Sequence, residues 1–321
     1  MTPELIMLTV GVVGVPLLLM LVLGGGELAL RRAAPVLQAR VRPWLWMAPM
    51  LVTTAAILSY PLIRTLVMAF QDADGASWAG LRNFTWAVSD AVLPVLRNNL
   101  LWAVCFPLVT VALALAAAVM LDRVRYERLA RTLILLPSAL SFVAAGVVWR
   151  MLYEYRAPGG TQTGTFNAIL GALGIDPVPW LVDRGTANFA LMLVAVWMSL
   201  GVATMILSAG VKGVPGELLE SARVDGAGEW RIFWHILLPS LRPTVLVVLT
   251  TQVIFALKIF DIVYVMTNGS FGTDVVANRM YTELFLSRDF GHAGAIAVIL
   301  LLVSLPVVAL NIRQMRAEAR P

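Results

Sequence analysis

The chain has 321 residues, of which 60% are hydrophobic and only 13% charged, and its formal net charge is +5. A soluble globular domain is about 45–50% apolar and about 25% charged, so this composition excludes a soluble enzyme, a disordered protein and a nucleic-acid-binding module. The lone cysteine, Cys105, allows no intrachain disulfide. The two histidines, His235 and His292, make no metal cluster, and no catalytic or metal-binding set is read from the chain.

Taken in chain order, seven apolar runs reach or approach the ~20 residues that a helix needs to cross the hydrocarbon core. They cover residues 5–23, 44–63, 100–121, 132–149, 185–211, 243–265 and 293–312. None alternates in polarity as a membrane strand does, so the predicted fold class is an all-α integral membrane protein. Ahead of the first run the only charge is Glu4, and Arg31 and Arg32 follow it. That flank predicts a retained span with its N-terminus outside, rather than a cleaved signal. The sixth run is interrupted by Lys258 and Asp261.

The connectors 31–43, 122–131 and 212–242 and the C-terminal tail carry fifteen basic residues, against seven on the other side. Short basic loops stay in the cytoplasm, so these segments are expected inside, with the C-terminus. The N-terminus and the 71–97, 150–184 and 266–292 connectors are expected outside. In the 154–186 stretch, Pro158, Gly159, Gly160, Pro177 and Pro179 break helices, and residues 166–173 form a short apolar stretch suited to an interfacial helix. A Gly-rich phosphate loop ahead of Lys-Ser/Thr is absent, so the chain does not hold ATP by that device.

The 212–242 connector is the longest of the basic ones. Pro215 suits the start of a helix, and Glu217 and Glu220 sit in its favourable N-terminal field. Asp225-Gly226 ends that helix, the glycine being free to adopt a left-handed cap. A second, amphipathic helix is predicted over 230–238, stopping at Pro239. By helical pattern alone the loop reads equally as an interfacial helix lying on the membrane.

The spacing shifts the balance. Glu220, Ala222, Gly226, Ile236, Leu238 and Pro239 resemble the Glu-Ala-Ala signature of permease subunits in bacterial ABC importers, with Ser221 in place of the first alanine. Asp225-Gly226-Ala227 and the Ile236–Pro239 ending resemble the carbohydrate-importer version. Tyr60-Pro61, Asn167, Gly171, Gly174, Trp180-Leu181 and the stretch from Phe260 through Tyr264 to Thr267-Asn268-Gly269 are also similar to that family, over about residues 44–312. Gly269-Ser270-Phe271 departs from the family's Gly-Gly-Pro. The resemblance implies a six-helix permease core (44–321) behind one extra N-terminal transmembrane helix and linker (1–43), as in maltose-type and α-glucoside-type permeases. The α-glucoside type is the nearer, since no large outer domain is inserted.

The same resemblance implies the partners: a second homologous permease, a cytoplasmic ATPase dimer that holds ATP and Mg, and an extracytoplasmic solute-binding protein that delivers sugar. The chain would bind no cofactor itself and would sit in the cytoplasmic (inner) membrane among lipid. Glu220, Ala222, Asp225, Gly226, Ala227, Ile236, Leu238 and Pro239 would form the ATPase-coupling element. A self-contained ion-coupled carrier is the alternative.

Polar groups within spans are costly and often functional. Gln252 lies about 14 Å along the helix from Pro243, with Thr250 and Thr251 before it and Phe255 on the same face. An amide beside an aromatic plate suits a sugar; helix–helix bonding by Gln252 and packing by Phe255 are the plainer alternative. Lys258 and Asp261 are expected to pair with each other across a turn, more readily than to touch substrate. Trp197 and Ser199 are possible cavity residues, although packing suits Trp197 better. Asn98 and Asn99 are read as interfacial caps.

Overall fold

The computed structural model describes residues 14–122 and 124–318. The start of the 5–23 run, Arg123 and Arg320 lie outside the described residues. Contacts divide the chain into two compact units, Met1–Leu66 and Val67–Pro321.

In the first unit, α1 (Val15–Leu30) begins on a proline in its first turn, where the missing N–H costs nothing. The Arg42 guanidinium reaches back to the Glu27 carboxylate, with Nε 3.2 Å from Oε2. The next helix, α2 (Pro35–Met68), runs unbroken past Pro43, Pro49 and Pro61, and none of its residues is buried. It is longer than its apolar run at both ends, and residues 43 and 44 both lie within it.

The second unit starts with a tight turn and α3 (Arg82–Ala87), followed by α4 (Leu93–Leu121). Next come α5 (Glu127–Ala139), whose last turn is 3-10, and α6 (Phe142–Leu152). These two are bent by 97° at Leu140 and Ser141, so the 132–149 run is not one straight span. Two local features explain the correction. Pro137 tightens the end of α5 into the 3-10 turn, and the Ser141 hydroxyl accepts from the Ala144 N–H at 3.1 Å to start α6 afresh. Beyond α6, α7 (Thr165–Ala172) matches the predicted interfacial helix to within one residue, and α8 (Ala187–Lys212) matches the 185–211 run.

The loop helix α9 (Gly216–Val224) leads to α10 (Glu229–Ser240), then α11 (Arg242–Leu257) at a 70° bend. The 243–265 run is therefore also broken: α11 ends at Leu257, and a separate short helix, α12 (Asp261–Met266), follows. Last come α13 (Val276–Tyr281) and α14 (Phe290–Glu318). Among the described residues, four helices are long and apolar enough to cross a membrane, or six if each bent pair counts as one.

The core of the second unit forms where α4, α8 and α11 pack. One apolar cluster gathers Trp102, Phe106, Leu191, Val194, Ile262 and Val263. Another gathers Ala114, Ala118, Ala203, Leu207, Leu241 and Val248. In lipid no hydrophobic force drives helix onto helix, so close approach of small residues takes its place. Gly201 shows this most sharply. A Cβ there would fall 2.5 Å from the carbonyl oxygen of Ile134 and 2.7 Å from Cα of Leu135.

Buried asparagines brace the loops. Asn167 is fully buried; its Nδ2 donates to the carbonyls of Glu154 and Val178, and its Oδ1 accepts from the Val178 N–H and the Trp180 indole. Four such bonds, each worth about 1 kcal/mol net, fold the 154–186 connector onto itself. Asn98 donates to the Asp274 carbonyl at 2.7 Å, and Asn99 Oδ1 accepts from the Val276 N–H at 3.1 Å. These two are not caps of their own helix. They sit within α4 and hold the start of α13, 176 and 177 residues away.

Candidate functional site: the loop element and the polar positions of the broken helices

The loop element is built from its caps. Glu217 lies in the first turn of α9, and Glu220 is exposed on it. At the other end Gly226 takes φ +82°, with its N–H bonded to the Arg223 carbonyl at 3.0 Å. The Ala227 N–H bonds to the Ala222 carbonyl, also at 3.0 Å. This pair of bonds closing over a left-handed residue is a Schellman ending, and it accounts for the glycine at 226 in physical terms. Asp225 is the capping residue, and its N–H reaches the Ser221 carbonyl at 2.9 Å.

No residue of α9 is buried. Val224 is 87% exposed and Leu218 45%, so the helix presents apolar side chains that its own chain leaves uncovered. Across the turn, Arg223 Nε meets Glu229 Oε1 at 2.8 Å and ties α9 to α10.

Within α10, residues Phe233–Leu237 form a π turn, and helix continues through Leu238–Ser240. Pro239 therefore does not stop the helix as expected. A proline ring collides with the carbonyl four residues back in a regular α-helix; the wider π turn ending at Leu237 gives it room. The motif residues Ile236 and Leu238 are half-buried, and Pro239 is exposed. The residues that seat this segment are Leu237 and Leu241, 6% and 1% exposed, in the cluster with Ala114, Leu207 and Val248. Sequence reasoning missed both. Their only signal is the 3.6-residue period continuing past the proline.

Near this end a charged group joins α5 to α8. Lys212 Nζ lies 2.7 Å from Glu127 Oε1, and Arg131 donates to the Ser208 hydroxyl at 2.7 Å.

The pathway candidates separate into distinct surroundings. Gln252 is 8% exposed, within α11. The Phe255 ring packs against Phe142 at 5.0 Å and Phe106 at 5.5 Å between centroids, as a wedge rather than an open plate. Trp197, half-buried, meets Trp149 edge-on at 5.4 Å. Thr250 accepts from Asn311 Nδ2 at 2.6 Å, joining α11 to α14.

The expected Lys258–Asp261 pair does not form. Lys258 caps the end of α11, Asp261 starts α12, and both are exposed. The break between them removes the helical register that would bring them together, and Asp261 lies instead in the favourable field of a helix N-terminus. Outside the spans, burial pushes the Asp274 carboxyl above its ordinary value, against the hydrogen bond it accepts from Asn278 at 2.7 Å.

A cleft of about 680 Å³ opens between the end of α6 and the turn after α12; Arg150, Glu154, Tyr264, Asn268 and Phe271 are among its walls. Sequence reasoning placed Tyr264 and Asn268 in a family-like stretch but assigned the cleft to nothing.

Comparison with known proteins fits this architecture. The osmoprotective compounds uptake permease protein GgtC of Synechocystis sp. is 46% identical over 277 residues, covering 86% of this chain and 99% of that one. The alpha-glucoside transport system permease protein AglF of Rhizobium meliloti is 39% identical over 281 residues, covering 87% and 84%. A crystal structure of a bacterial ABC transporter that imports the acidic polysaccharide alginate shares the fold, with a TM-score of 0.76 at 22% identity over 89% of this chain and all of that one. The self-contained ion-coupled carrier is not favoured by these matches. Residues 109–316 match the family described as binding-protein-dependent transport system inner membrane component, and the chain belongs to that family as a permease subunit.

Proposed function

We propose that the chain is the transmembrane subunit through which a small glucoside enters the cell, in an importer driven by a separate ATPase that holds ATP and Mg. The observation that carries this is the α9–α10 element. It is an exposed, Schellman-capped helix with bare apolar side chains, rooted through Leu237 and Leu241 in the packing of α4, α8 and α11. Such an element transmits force applied from outside the bilayer into the helices. The glucoside reading is supported by the name of one relative, an alpha-glucoside transport permease. A second permease and a solute-binding protein complete the pathway.

The test is uptake of radiolabelled methyl α-glucoside, trehalose and sucrose into proteoliposomes holding the full complex, with ATP inside and binding protein outside. Uptake that follows ATP and ignores a protonophore supports the reading; uptake that collapses with the ion gradient while ATP persists overturns it.

The orientation has its own check. A cysteine at Gly160 is expected to react with a membrane-impermeant thiol reagent in intact cells, and one at Gly228 only after the membrane is opened. The reverse pattern would place α9 on the wrong side for an ATPase.

Gln252 is the residue most suited to meet the solute, because it is an amide almost wholly buried within α11, where polar groups are costly and often functional. Gln252→Ala is expected to lower transport by about tenfold, the scale of one hydrogen bond lost at about 1 kcal/mol or somewhat more. Assembly and ATPase content should not change. Unchanged transport at every sugar concentration returns Gln252 to packing.

A further inference from the structure

We propose a second sugar site in the cleft between the end of α6 and the turn after α12, separate from Gln252. It rests on the glucoside reading above. The cleft's volume, about 680 Å³, lies inside the range of about 300–1,000 Å³ in which small-molecule sites fall. Its chemistry is mixed in the way a pyranose is mixed, with an apolar face of C–H bonds and a rim of hydroxyls.

Tyr264 and Phe271 supply the apolar surfaces. The Tyr264 ring is 38% exposed and held by stacking on Phe260 at 5.2 Å, and its hydroxyl lies 3.4 Å from that of Tyr281. The Tyr281 ring also meets it edge-on at 5.0 Å, and an aromatic side chain held by its neighbours yet partly exposed costs little entropy to use. Phe271 is 44% exposed although its backbone stands at φ +57°, a conformation that residues with a Cβ rarely adopt. Asn268, at φ +50°, stands in the same turn. Backbone strain persists only where the surroundings impose it and clusters at ligand sites.

Arg150 and Glu154 supply the rim. Arg150 spends one N–H on the Val265 carbonyl at 3.3 Å, which anchors the guanidinium across the cleft and leaves its other donors open. The Glu154 carboxylate lies 3.9 Å from Arg156, too far for a strong bond, so its lone pairs remain available. A guanidinium donor and a carboxylate acceptor on one wall match the donor–acceptor character of neighbouring hydroxyls. One positive and one negative group also suit a neutral solute better than a phosphate or a fatty acid. The site would hold a glucoside ring transiently, between its arrival at the permease and its passage to Gln252.

The test uses the purified complex without binding protein or nucleotide, and radiolabelled methyl α-glucoside as probe. Tyr264→Ala and Arg150→Met should each weaken binding by about tenfold, the scale of one lost aromatic or charged contact. Gln252→Ala should leave a binding component of wild-type strength that disappears in the Gln252→Ala/Tyr264→Ala double variant. Equal binding by all variants overturns the site. Loss of the second permease from either cleft variant also overturns it, because the cleft is then a subunit contact. A wild-type importer that transports no glucoside removes the sugar reading and this site together; one that transports a glucoside while the variants bind it normally removes this site alone.

Discussion

Gly201→Val should deplete the folded permease severely. The position faces backbone, not side chain: an added Cβ meets the Ile134 carbonyl oxygen at 2.5 Å and Leu135 Cα at 2.7 Å. A side chain can rotate aside, but this backbone cannot yield without α5 leaving α8. Overpacking of this kind costs about 1–3 kcal/mol and sometimes more. One to two kcal/mol already shifts the folded-to-unfolded ratio by roughly 5–30-fold. The separation would also pull Arg131 from Ser208 and Glu127 from Lys212, so loss should exceed the steric cost alone. Size-exclusion yield and thermal stability of the detergent-solubilised complex read the effect. Gly171→Ala, where an added Cβ meets nothing within 4 Å, serves as the control. A Gly201→Val complex as abundant and stable as wild type would show that α5 and α8 part freely at this crossing.

Gly226→Tyr should have the opposite character, leaving the subunit folded and silencing it. Its φ of +82° imposes strain of about 1 kcal/mol on any residue with a Cβ. An added Cβ there meets nothing within 4 Å among the described residues, so a side chain can leave the backbone without collision. Whatever docks on α9 would meet the new ring. The expected result is normal insertion and pairing with the second permease, with ATPase lost from the complex or hydrolysis uncoupled from uptake. Gly226→Ala carries the same strain with little bulk and separates the two causes. Glu220→Ala should act more mildly, because an exposed charged contact is worth far less than a buried one. ATPase content by gel and binding-protein-stimulated hydrolysis are the readouts. Full ATPase content and full transport in Gly226→Tyr would remove the coupling role from this loop.

The apolar runs revealed the membrane class and located the helices, because composition over about 20 residues reports burial in lipid directly. The loop motif was legible through its resemblance to a known signature, and within it the glycine at 226 has a physical reason, the left-handed ending of α9. The 97° bend at residues 140 and 141 was not. Leu136-Pro137-Ser138-Ala139-Leu140 is as apolar as the helices on either side, and hydropathy carries no direction. The break after Leu257 left only the faint trace of Lys258 and Asp261, whose spacing reads as a pair within one helix. Pro239 misled because a stop and a π-accommodated passage present the same residue. The asparagine braces escaped for a further reason: their partners are backbone groups, which have no sequence identity. The cleft is likewise assembled from segments more than a hundred residues apart, and each alone looks like an ordinary helix end or turn.

The two asparagines of α4 also set an order of events in biosynthesis. Asn98 and Asn99 leave the ribosome with the first third of the chain, but the groups they bind belong to residues 274 and 276. Until the last quarter has been threaded into the bilayer, both amides lack these partners and must be satisfied by water or by lipid headgroups. That end of the permease therefore reaches its final form only after nearly all helices are inserted. A nascent chain stalled short of residue 274 would carry most of its spans while the surface around α13 remained unbuilt.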